Sequence, residues 1–308
     1  MISIEEVRRL ARSKGAVILA HNYQRPEVQD AADYVGDSLG LSIRAMEAEA
    51  ELIVFAGVDF MAEQAAILNP GKVVLHPDTQ SRCPMAAMLT PEVVREYRER
   101  YPGAPFVAYV NTLAEVKALA DYVVTSSSAV KLVSQLDADT VLFGPDKNLA
   151  DYVAERTGKE VVPVPSYGHC PVHVVITPSC LERAREEHPQ AKLLAHPECL
   201  REIRREADFV GSTSQMVRAA AEMGADEYIV ATEVGLLHRI EKLGKRAYPA
   251  SPYAVCVDMK RITLEKVARC LREGTGVVRV EPKVARRVRE VLERSFELMG
   301  VEVPWRRS

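Results

Sequence analysis

The 308-residue chain repeats a short pattern three times. Three segments align without gaps: DAADYVGDS (30–38), ALADYVVTS (118–126) and READFVGST (205–213). Each contains Ala-Asp-aromatic-Val, and a hydroxyl residue follows five positions after the aspartate. The aspartates, Asp33, Asp121 and Asp208, are 88 and then 87 residues apart. A period of this length predicts three copies of one structural unit.

Four further positions recur around these aspartates. Twelve residues before each one, at the end of an apolar run, stand His21, Tyr109 and His196. Two positions after those stand Tyr23, Asn111 and Glu198. The hydroxyl residues are Ser38, Ser126 and Thr213. A cysteine follows each aspartate by 50, 49 and 48 residues, at Cys83, Cys170 and Cys256.

Short apolar runs alternate with helix-length amphipathic stretches along the whole chain. Ten runs are predicted strands: 16–20, 52–56, 72–75, 106–110, 122–125, 140–143, 160–164, 192–195, 209–211 and 228–231. Most lack polar alternation, which is typical of parallel strands covered by helices on both faces. We therefore predict an α/β fold of three pseudo-threefold-related αβα units with short parallel sheets. The predicted units are 1–86, with a C-terminal helix at 281–308 packing back onto it, 87–172 and 173–280.

Composition and charge exclude several classes of protein. The chain has 40 Lys+Arg against 43 Asp+Glu, a net charge of −3, so it has no basic excess for nucleic acid. No apolar run approaches the ~18 residues of a membrane helix. The N-terminal residues carry acids and lack the apolar core of a signal peptide. We expect a soluble, cytoplasmic protein.

The repeated polar residues point to a ligand site. Packing alone would repeat size and apolarity, whereas these positions change between His and Tyr, or among Tyr, Asn and Glu. They lie at the carboxyl ends of predicted strands, where open α/β sheets bind ligands. The sequence therefore predicts that the three units build one site together.

Three equivalent cysteines could converge on a metal centre. A zinc ion could take three sulfurs and a water, and an iron–sulfur cluster also prefers thiolates, so the spacing leaves both open. In a [4Fe–4S] cluster, three cysteines would leave one iron free to act as a Lewis acid. The remaining cysteines, Cys180, Cys199 and Cys270, lie off the repeat and are interpreted as incidental or buried thiols.

The hydroxyl residues suggest an anion site. Ser38, Ser126 and Thr213, with Ser212 beside the last, precede helical patterns, and helix N-termini favour phosphate or carboxylate. Ordinary N-capping uses the same residue types and is the alternative interpretation. The absence of Walker A and GxGxxG patterns argues against a nucleotide.

The sequence also resembles the quinolinate synthase family over essentially its whole length. The motifs that carry the resemblance are LAHNYQ (19–24), GDSL (36–39), VDFMAEQAAILNP (58–70), CPMA (83–86), YVNTLAEVKALADYVVTSSSAVK (109–131), GPDKNLADYVAE (144–155), GHCPVH (168–173), HPECLREIRREADFVGSTSQM (196–216), ATEVGL (231–236) and the late Cys256.

The resemblance implies three αβα units around one central [4Fe–4S] cluster, with Cys83, Cys170 and Cys256 as its ligands. It implies condensation of iminoaspartate with dihydroxyacetone phosphate to give quinolinate, phosphate and two waters, with an iminoaspartate-producing enzyme as partner. Residues near the open iron would be Tyr23, Tyr109, Asn111, His196 and Glu198. Those holding anionic groups or lining the cavity would be His21, Ser38, Ser126, His173, Ser212 and Thr213. Within this set we expect Glu198 and Tyr23 to act as an acid/base pair.

Three other functions remain open from the residues alone. One is a different cluster-dependent hydro-lyase acting on a hydroxy acid. Another is a non-catalytic cluster protein that carries electrons or senses oxygen. The last is a structural zinc protein.

Overall fold

A computed structural model describes residues 2–303 and 305 of the chain. Within them, three four-stranded sheets follow one another along the sequence, and every strand pair within a sheet is parallel. The first sheet contains β1 (Ala16–His21), β2 (Tyr34–Gly36), β3 (Leu52–Ala56) and β4 (Val73–Leu75). The second contains β5 (Phe106–Tyr109), β6 (Tyr122–Val124), β7 (Thr140–Gly144) and β8 (Glu160–Pro163). The third contains β9 (Lys192–Ala195), β10 (Phe209–Val210), β11 (Glu227–Ala231) and β12 (Arg246–Pro249).

Helices connect and cover these strands. Around the first sheet they are α1 (Ile4–Ser13), α2 (Pro26–Ala31), α3 (Ser38–Glu47), α4 (Asp59–Leu68) and α5 (Pro84–Ala87). Around the second they are α6 (Pro91–Arg100), α7 (Ala114–Lys117), α8 (Ala129–Ser134) and α9 (Lys147–Thr157). The third unit follows with α10 (Pro171–Val174), α11 (Pro178–Glu187), α12 (Arg201–Glu206), α13 (Thr213–Glu222) and α14 (Gly235–Glu241). A 3₁₀ turn (Met259–Arg261) precedes the last two helices, α15 (Leu264–Glu273) and α16 (Pro282–Leu298).

All three sheets have the same strand order, which confirms the predicted fold class. Numbered within each sheet, the order is second, first, third, fourth. The inner strands are buried on both faces, as the unbroken apolar runs predict. Because the chain leaves the first strand in one direction and the third in the other, their carboxyl ends form a crevice where α/β sheets bind ligands.

The repeated aspartates have a structural role. Asp33 Oδ2 accepts the backbone N–H of Ile18 at 2.7 Å, and Asp121 Oδ2 accepts that of Phe106 at 2.8 Å. Asp208 makes the same bond to Leu193 N. Each aspartate precedes the second strand of its sheet and receives an N–H from the first strand. It thus ties the two strands together away from their carboxyl ends.

Two strands, β2 and β12, are absent from the ten predicted runs. Both are edge strands, and each contains an exposed residue, Tyr34 in β2 and Arg246 in β12. An edge strand needs less apolar surface than a central one, so its sequence carries a weaker signal. Within the described residues, no helix has both the length and the apolar character needed to cross a membrane.

Both C-terminal helices pack away from the third sheet. Helix α15 buries Val267 and Leu271 against α1 and the first sheet, although the predicted boundary places it in the third unit. Helix α16 contacts α4 of the first unit, but its larger contact is with β6 and α7 of the second. Ser295 Oγ of α16 accepts the Val123 N–H of the edge strand β6 at 2.8 Å. The contact with the edge strand β6 therefore holds α16 against the second unit. The exact unit boundaries stay a prediction.

A cation with little exposure joins each pair of neighbouring units. A buried cation needs a partner to offset the loss of its hydration, so each of these contacts constrains how two units sit together. The contacts are Lys117 with Gln64 between the first and second units, Arg204 with Asp151 between the second and third, and Lys260 with the Tyr23 carbonyl between the third and first. Burial lowers the pKa of Lys117 to about 8.

Candidate active site

The carboxyl ends of the three sheets open onto one cavity, whose empty volume is about 740 Å³ when the open solvent at its mouth is included. All fourteen predicted site residues line it: His21, Tyr23, Ser38, Cys83, Tyr109, Asn111, Ser126, Cys170, His173, His196, Glu198, Ser212, Thr213 and Cys256. Three of the four strand positions supply the predicted residues. The His/Tyr and Tyr/Asn/Glu residues stand at or just after the ends of the first strands, the hydroxyl residues follow the second strands, and the cysteines follow the fourth strands.

Glu198 is the most constrained carboxylate of the cavity. Its side chain is 3% exposed, and Oε2 lies 2.8 Å from His173 Nδ1 and 3.9 Å from His196 Nδ1. Asn111 Nδ2 donates to Oε1 at 3.5 Å. Burial alone would raise the pKa of Glu198, but the close contacts with His173 and His196 outweigh it, so the pKa lies below its usual value. Glu198 is therefore a carboxylate at neutral pH.

Two hydrogen bonds and one close polar contact link the Tyr23 phenol to Glu198. Tyr23 Oη lies 2.6 Å from Thr232 Oγ1, which lies 2.8 Å from His173 Nε2. The Glu198 carboxylate favours a proton on the facing His173 Nδ1, so Nε2 accepts from the Thr232 hydroxyl. Thr232 Oγ1 then accepts from Tyr23. Burial, followed by the charge of Glu198, raises the pKa of Tyr23, so its phenol stays protonated.

His21 and His196 occupy equivalent positions, and each accepts the same kind of backbone hydrogen bond. Nδ1 of His21 accepts the Tyr23 N–H at 3.2 Å, and Nδ1 of His196 accepts the Glu198 N–H at 3.3 Å. Burial lowers the pKa of each imidazole to about 3, so both are neutral at neutral pH. With Nδ1 accepting, the ring proton lies on Nε2. Each histidine can therefore offer an N–H donor to an anionic oxygen.

Of the four predicted hydroxyl residues, one caps a helix and three do not. Ser212 is the N-cap of α13, and its Oγ accepts the Gln215 N–H at 3.4 Å in a capping box, so here the capping interpretation holds. Thr213 is the first residue of that helix, and its Oγ1 accepts from Asn22 Nδ2 at 2.8 Å. Ser38 is the first residue of α3, whose N-cap is Asp37. Ser126 lies in the turn before α8 rather than at the helix end.

The three repeat cysteines are half-buried free thiols. Burial raises the pKa of all three, to about 11 for Cys256. Since metals bind the thiolate, these thiols would need a cation to be deprotonated at neutral pH. None of the other three cysteines lines the cavity. Cys199 Sγ instead donates to the Ala231 carbonyl at 3.1 Å, and Cys270 Sγ to the Thr275 carbonyl at 3.1 Å.

A second set of metal-ligand atoms lies in the same cavity. Among the described residues, one group of three or more His, Cys, Asp or Glu donors lies within 4.8 Å of one another, and it comprises Cys170, His173 and Glu198. The three repeat cysteines do not form such a group.

Three polar residues of the site were not singled out from the sequence. Asp37 lines the cavity, and its Oδ2 accepts from Ser214 Oγ at 2.8 Å, which links the first and third units. Glu233 also lines the cavity and is fully buried. The sequence signal for Glu233 is its place in the 87-residue period, after the third strand of its sheet. Thr232 has no such signal, because the equivalent residues are Val58 and Pro145.

Comparison with known proteins agrees with this geometry. The family described as Quinolinate synthetase A protein matches residues 5–297. A curated quinolinate synthase of Pyrococcus horikoshii is 51% identical over 297 residues, covering 96% of this chain and 98% of that protein. Those of Methanocaldococcus jannaschii and Thermotoga maritima are 48% and 47% identical over 302 and 298 residues, covering 96% of this chain and 98% and 100% of theirs. The chain therefore belongs to the Quinolinate synthetase A protein family.

Proposed function

We propose that this protein is a quinolinate synthase that condenses iminoaspartate with dihydroxyacetone phosphate and releases phosphate and two waters. The observation that carries the proposal is the one cavity that collects three equivalent cysteines, the acid/base side chains of Tyr23, His173 and Glu198, and a set of neutral anion donors. The shared name of the curated relatives supports the same reaction.

The cysteines fit a [4Fe–4S] cluster in number and in chemistry. Cys83, Cys170 and Cys256 would hold it, one from each unit, and all three line the same cavity. When bound, such a cluster supplies one iron without a protein sulfur, a Lewis acid that assists the loss of water.

The anion donors suit a substrate that carries a phosphate and carboxylates. His21 and His196 present Nε2–H groups, since their Nδ1 atoms are held by backbone N–H groups. The hydroxyls of Ser38, Ser126 and Thr213 lie at the carboxyl ends of the second strands, near helix N-termini in the first and third units. Local donors of this kind bind a small anion without a basic protein surface, which agrees with the net charge of −3.

The chain from Tyr23 to Glu198 handles protons. A proton that leaves the Tyr23 phenol passes to the Thr232 oxygen while the Thr232 hydroxyl proton passes to His173 Nε2. The imidazolium that forms is stabilised by the Glu198 carboxylate 2.8 Å from Nδ1. The reverse sequence restores the phenol. Glu198 and Tyr23 thus act as an acid/base pair through His173 and Thr232, as isomerisation and dehydration steps require.

Anaerobic purification with metal and sulfide analysis tests this function. We expect about four irons and four sulfides per chain, a spectrum perturbed by a dicarboxylate, and quinolinate formed from iminoaspartate plus dihydroxyacetone phosphate. Turnover of a hydroxy acid alone would instead indicate a hydro-lyase. A cluster without turnover would indicate an electron carrier or sensor, and a colourless protein with one zinc would exclude the cluster.

Two sets of variants separate the cluster from the proton chain. Replacement of any repeat cysteine by serine should abolish iron binding, whereas Cys180→Ser should leave it intact, because Cys180 lies outside the cavity. Glu198→Gln should keep the iron and lose most turnover, because an amide does not stabilise the His173 imidazolium. Near-normal turnover of Glu198→Gln would remove Glu198 from the acid/base role.

A further inference from the structure

Three carboxylates repeat with the cysteines and contact them. Asp59, Asp146 and Glu233 follow the third strands of the three sheets, and each is 87 residues from the next. Asp59 Oδ1 accepts the Cys83 N–H at 3.0 Å, and Asp146 Oδ2 accepts the Cys170 N–H at 2.9 Å. Glu233 Oε1 accepts the Cys256 N–H at 3.0 Å. The backbone N–H of every repeat cysteine is therefore bound by an acidic side chain.

A second bond runs in the opposite direction in each unit. The Asp59 N–H donates to the Ser81 carbonyl at 3.0 Å. In the other two units the donor is the residue after the carboxylate: Lys147 N donates to Gly168 O at 2.9 Å, and Val234 N donates to Ala254 O at 3.0 Å. Each accepting carbonyl lies two residues before a repeat cysteine. The loop after the third strand and the loop that carries the cysteine thus form a reciprocal two-bond clamp, built three times.

Ordinary helix capping explains only part of this arrangement. Asp146 is the N-cap of α9, where Oδ1 accepts the Leu149 N–H at 2.7 Å, but capping leaves Oδ2 free. That second oxygen is the one that binds the Cys170 N–H. The two loops also meet at close range, because a Cβ on Gly168 would lie 1.9 Å from the Pro145 carbonyl oxygen. The contact is therefore part of how the cysteine loop is built.

The three carboxylates differ in how their charge is balanced. Lys260 Nζ lies 2.9 Å from Glu233 Oε1, so this charge is paired. Asp146 is fully buried, no Lys, Arg or His among the described residues forms an ion pair with it, and burial raises its pKa well above the usual value. At Asp59, one oxygen accepts both the Phe60 and the Cys83 N–H groups. Asp146 is thus the position where hydrogen bonding to the cysteine loop can be tested most directly, because a separate oxygen binds the Cys170 N–H.

We propose that Asp59, Asp146 and Glu233 are positioning residues that hold the three cysteine loops in place for the cluster, and that Asp59 also puts negative charge beside it. This inference rests on the proposed cluster, and it adds residues that do not touch the substrate. Outer hydrogen-bond partners orient metal ligands and tune the bound centre. A negative charge favours the more oxidised state of a cluster, so removing the charge of Asp59 should make the reduction potential more positive.

The test compares Asp146→Ala and Asp146→Asn with two matched variants. Asp59→Asn keeps one oxygen able to accept both N–H groups, so it removes charge but preserves the bonds. Asp121→Asn is the remote control, because Asp121 accepts the Phe106 N–H away from the strand ends of the same sheet as Asp146. The readouts are iron and sulfide content, reduction potential, and the alkylation rate of each cysteine in cluster-free protein.

Each variant has a distinct expected result. In cluster-free Asp146→Ala, Cys170 should be alkylated about tenfold faster than in the parent, while Cys83 and Cys256 serve as unchanged internal controls. Reconstituted Asp146→Ala should hold less than half of the parent's iron. Asp146→Asn, which can keep only one of the two bonds, should lie between Asp146→Ala and the parent. Asp59→Asn should load fully with a more positive potential, and Asp121→Asn should match the parent in all three readouts.

Alkylation of Cys170 within twofold of the parent in both Asp146 variants, with full iron content, would overturn the inference. If Asp146→Ala does not fold, Asp146→Asn decides by the same criteria. A parent protein that binds no iron would refute the proposed function. The alkylation contrast among the three cysteines would still decide whether the carboxylates hold the loops.

Discussion

Thr232→Val should slow the proposed reaction without disturbing the fold, because valine has the shape of threonine and lacks the hydroxyl. Thr232 is 1% exposed, and its Oγ1 joins Tyr23 Oη to His173 Nε2 at 2.6 and 2.8 Å. Valine leaves both groups without that partner and interrupts the hydrogen-bonded route from the phenol to the imidazole. Thr232→Ser is the matched control, since it keeps the hydroxyl and removes one methyl group.

The expected loss follows from the two hydrogen bonds. An orphaned buried polar group costs about 1–3 kcal/mol, and Thr232→Val creates two of them. Part of that cost does not affect the barrier, because the groups are unpaired both before the reaction and in the transition state. We therefore assign about 1.4–2.8 kcal/mol to the barrier, which corresponds to a decrease in kcat of about 10- to 100-fold. Thr232→Ser should stay within about threefold of the parent.

The assay is steady-state formation of quinolinate by the anaerobic, cluster-containing variants, with iron content as the check on integrity. A relay predicts a lower kcat with little change in KM. It also predicts that Tyr23→Phe combined with Thr232→Val loses no more than the worse single variant, since both interrupt the same chain. A Thr232→Val enzyme with more than half of the parent kcat would refute the relay, and so would strictly additive losses in the double variant.

Three further predictions concern stability, pH and oxygen. Arg204→Ala should lower the free energy of unfolding by about 1.5–3 kcal/mol, because it removes a buried guanidinium that donates to Asp151, Glu155 and the Cys199 carbonyl, while both carboxylates keep Arg201 as a partner. The matched Arg205→Ala should lower it by less than about 1 kcal/mol, since Arg205 is 67% exposed, and equal losses in urea unfolding would contradict this difference. His21 has a native pKa of about 3, so the unfolded chain binds its proton first as the pH falls below ~6.5 and stability drops toward pH 3. His21→Gln should reduce that drop by roughly 2–3 kcal/mol between pH 7 and 4.5, and an unchanged slope would exclude the assignment. Prolonged aerobic handling should bleach the cluster and abolish turnover, and full activity afterwards would count against an exposed iron.

The repeat was sufficient to predict the three sheets, because a triplicated unit must bury the same apolar strands each time. It also placed the site residues, because parallel strands present their carboxyl ends on one edge and polar residues there have no packing role. The same reasoning missed β2 and β12, where edge strands need little apolar surface. It also could not locate α15 and α16, whose amphipathic faces fit any apolar surface of suitable shape.

Sequence spacing alone determined which residues belong together, namely the histidines, phenols, hydroxyls and cysteines that recur about every 87 residues. Only the tertiary structure decided what each one does. The backbone N–H that holds Nδ1 of His21 and of His196 fixes the position of the ring proton, and the Gln215 N–H engages the Ser212 hydroxyl in a cap. Thr232 lies in the proton chain although nothing repeats at its position, because it meets Tyr23 only where the first and third units come together. Hydrogen bonds between units depend on distances of a few tenths of an ångström, and a linear pattern of residue types does not contain that information.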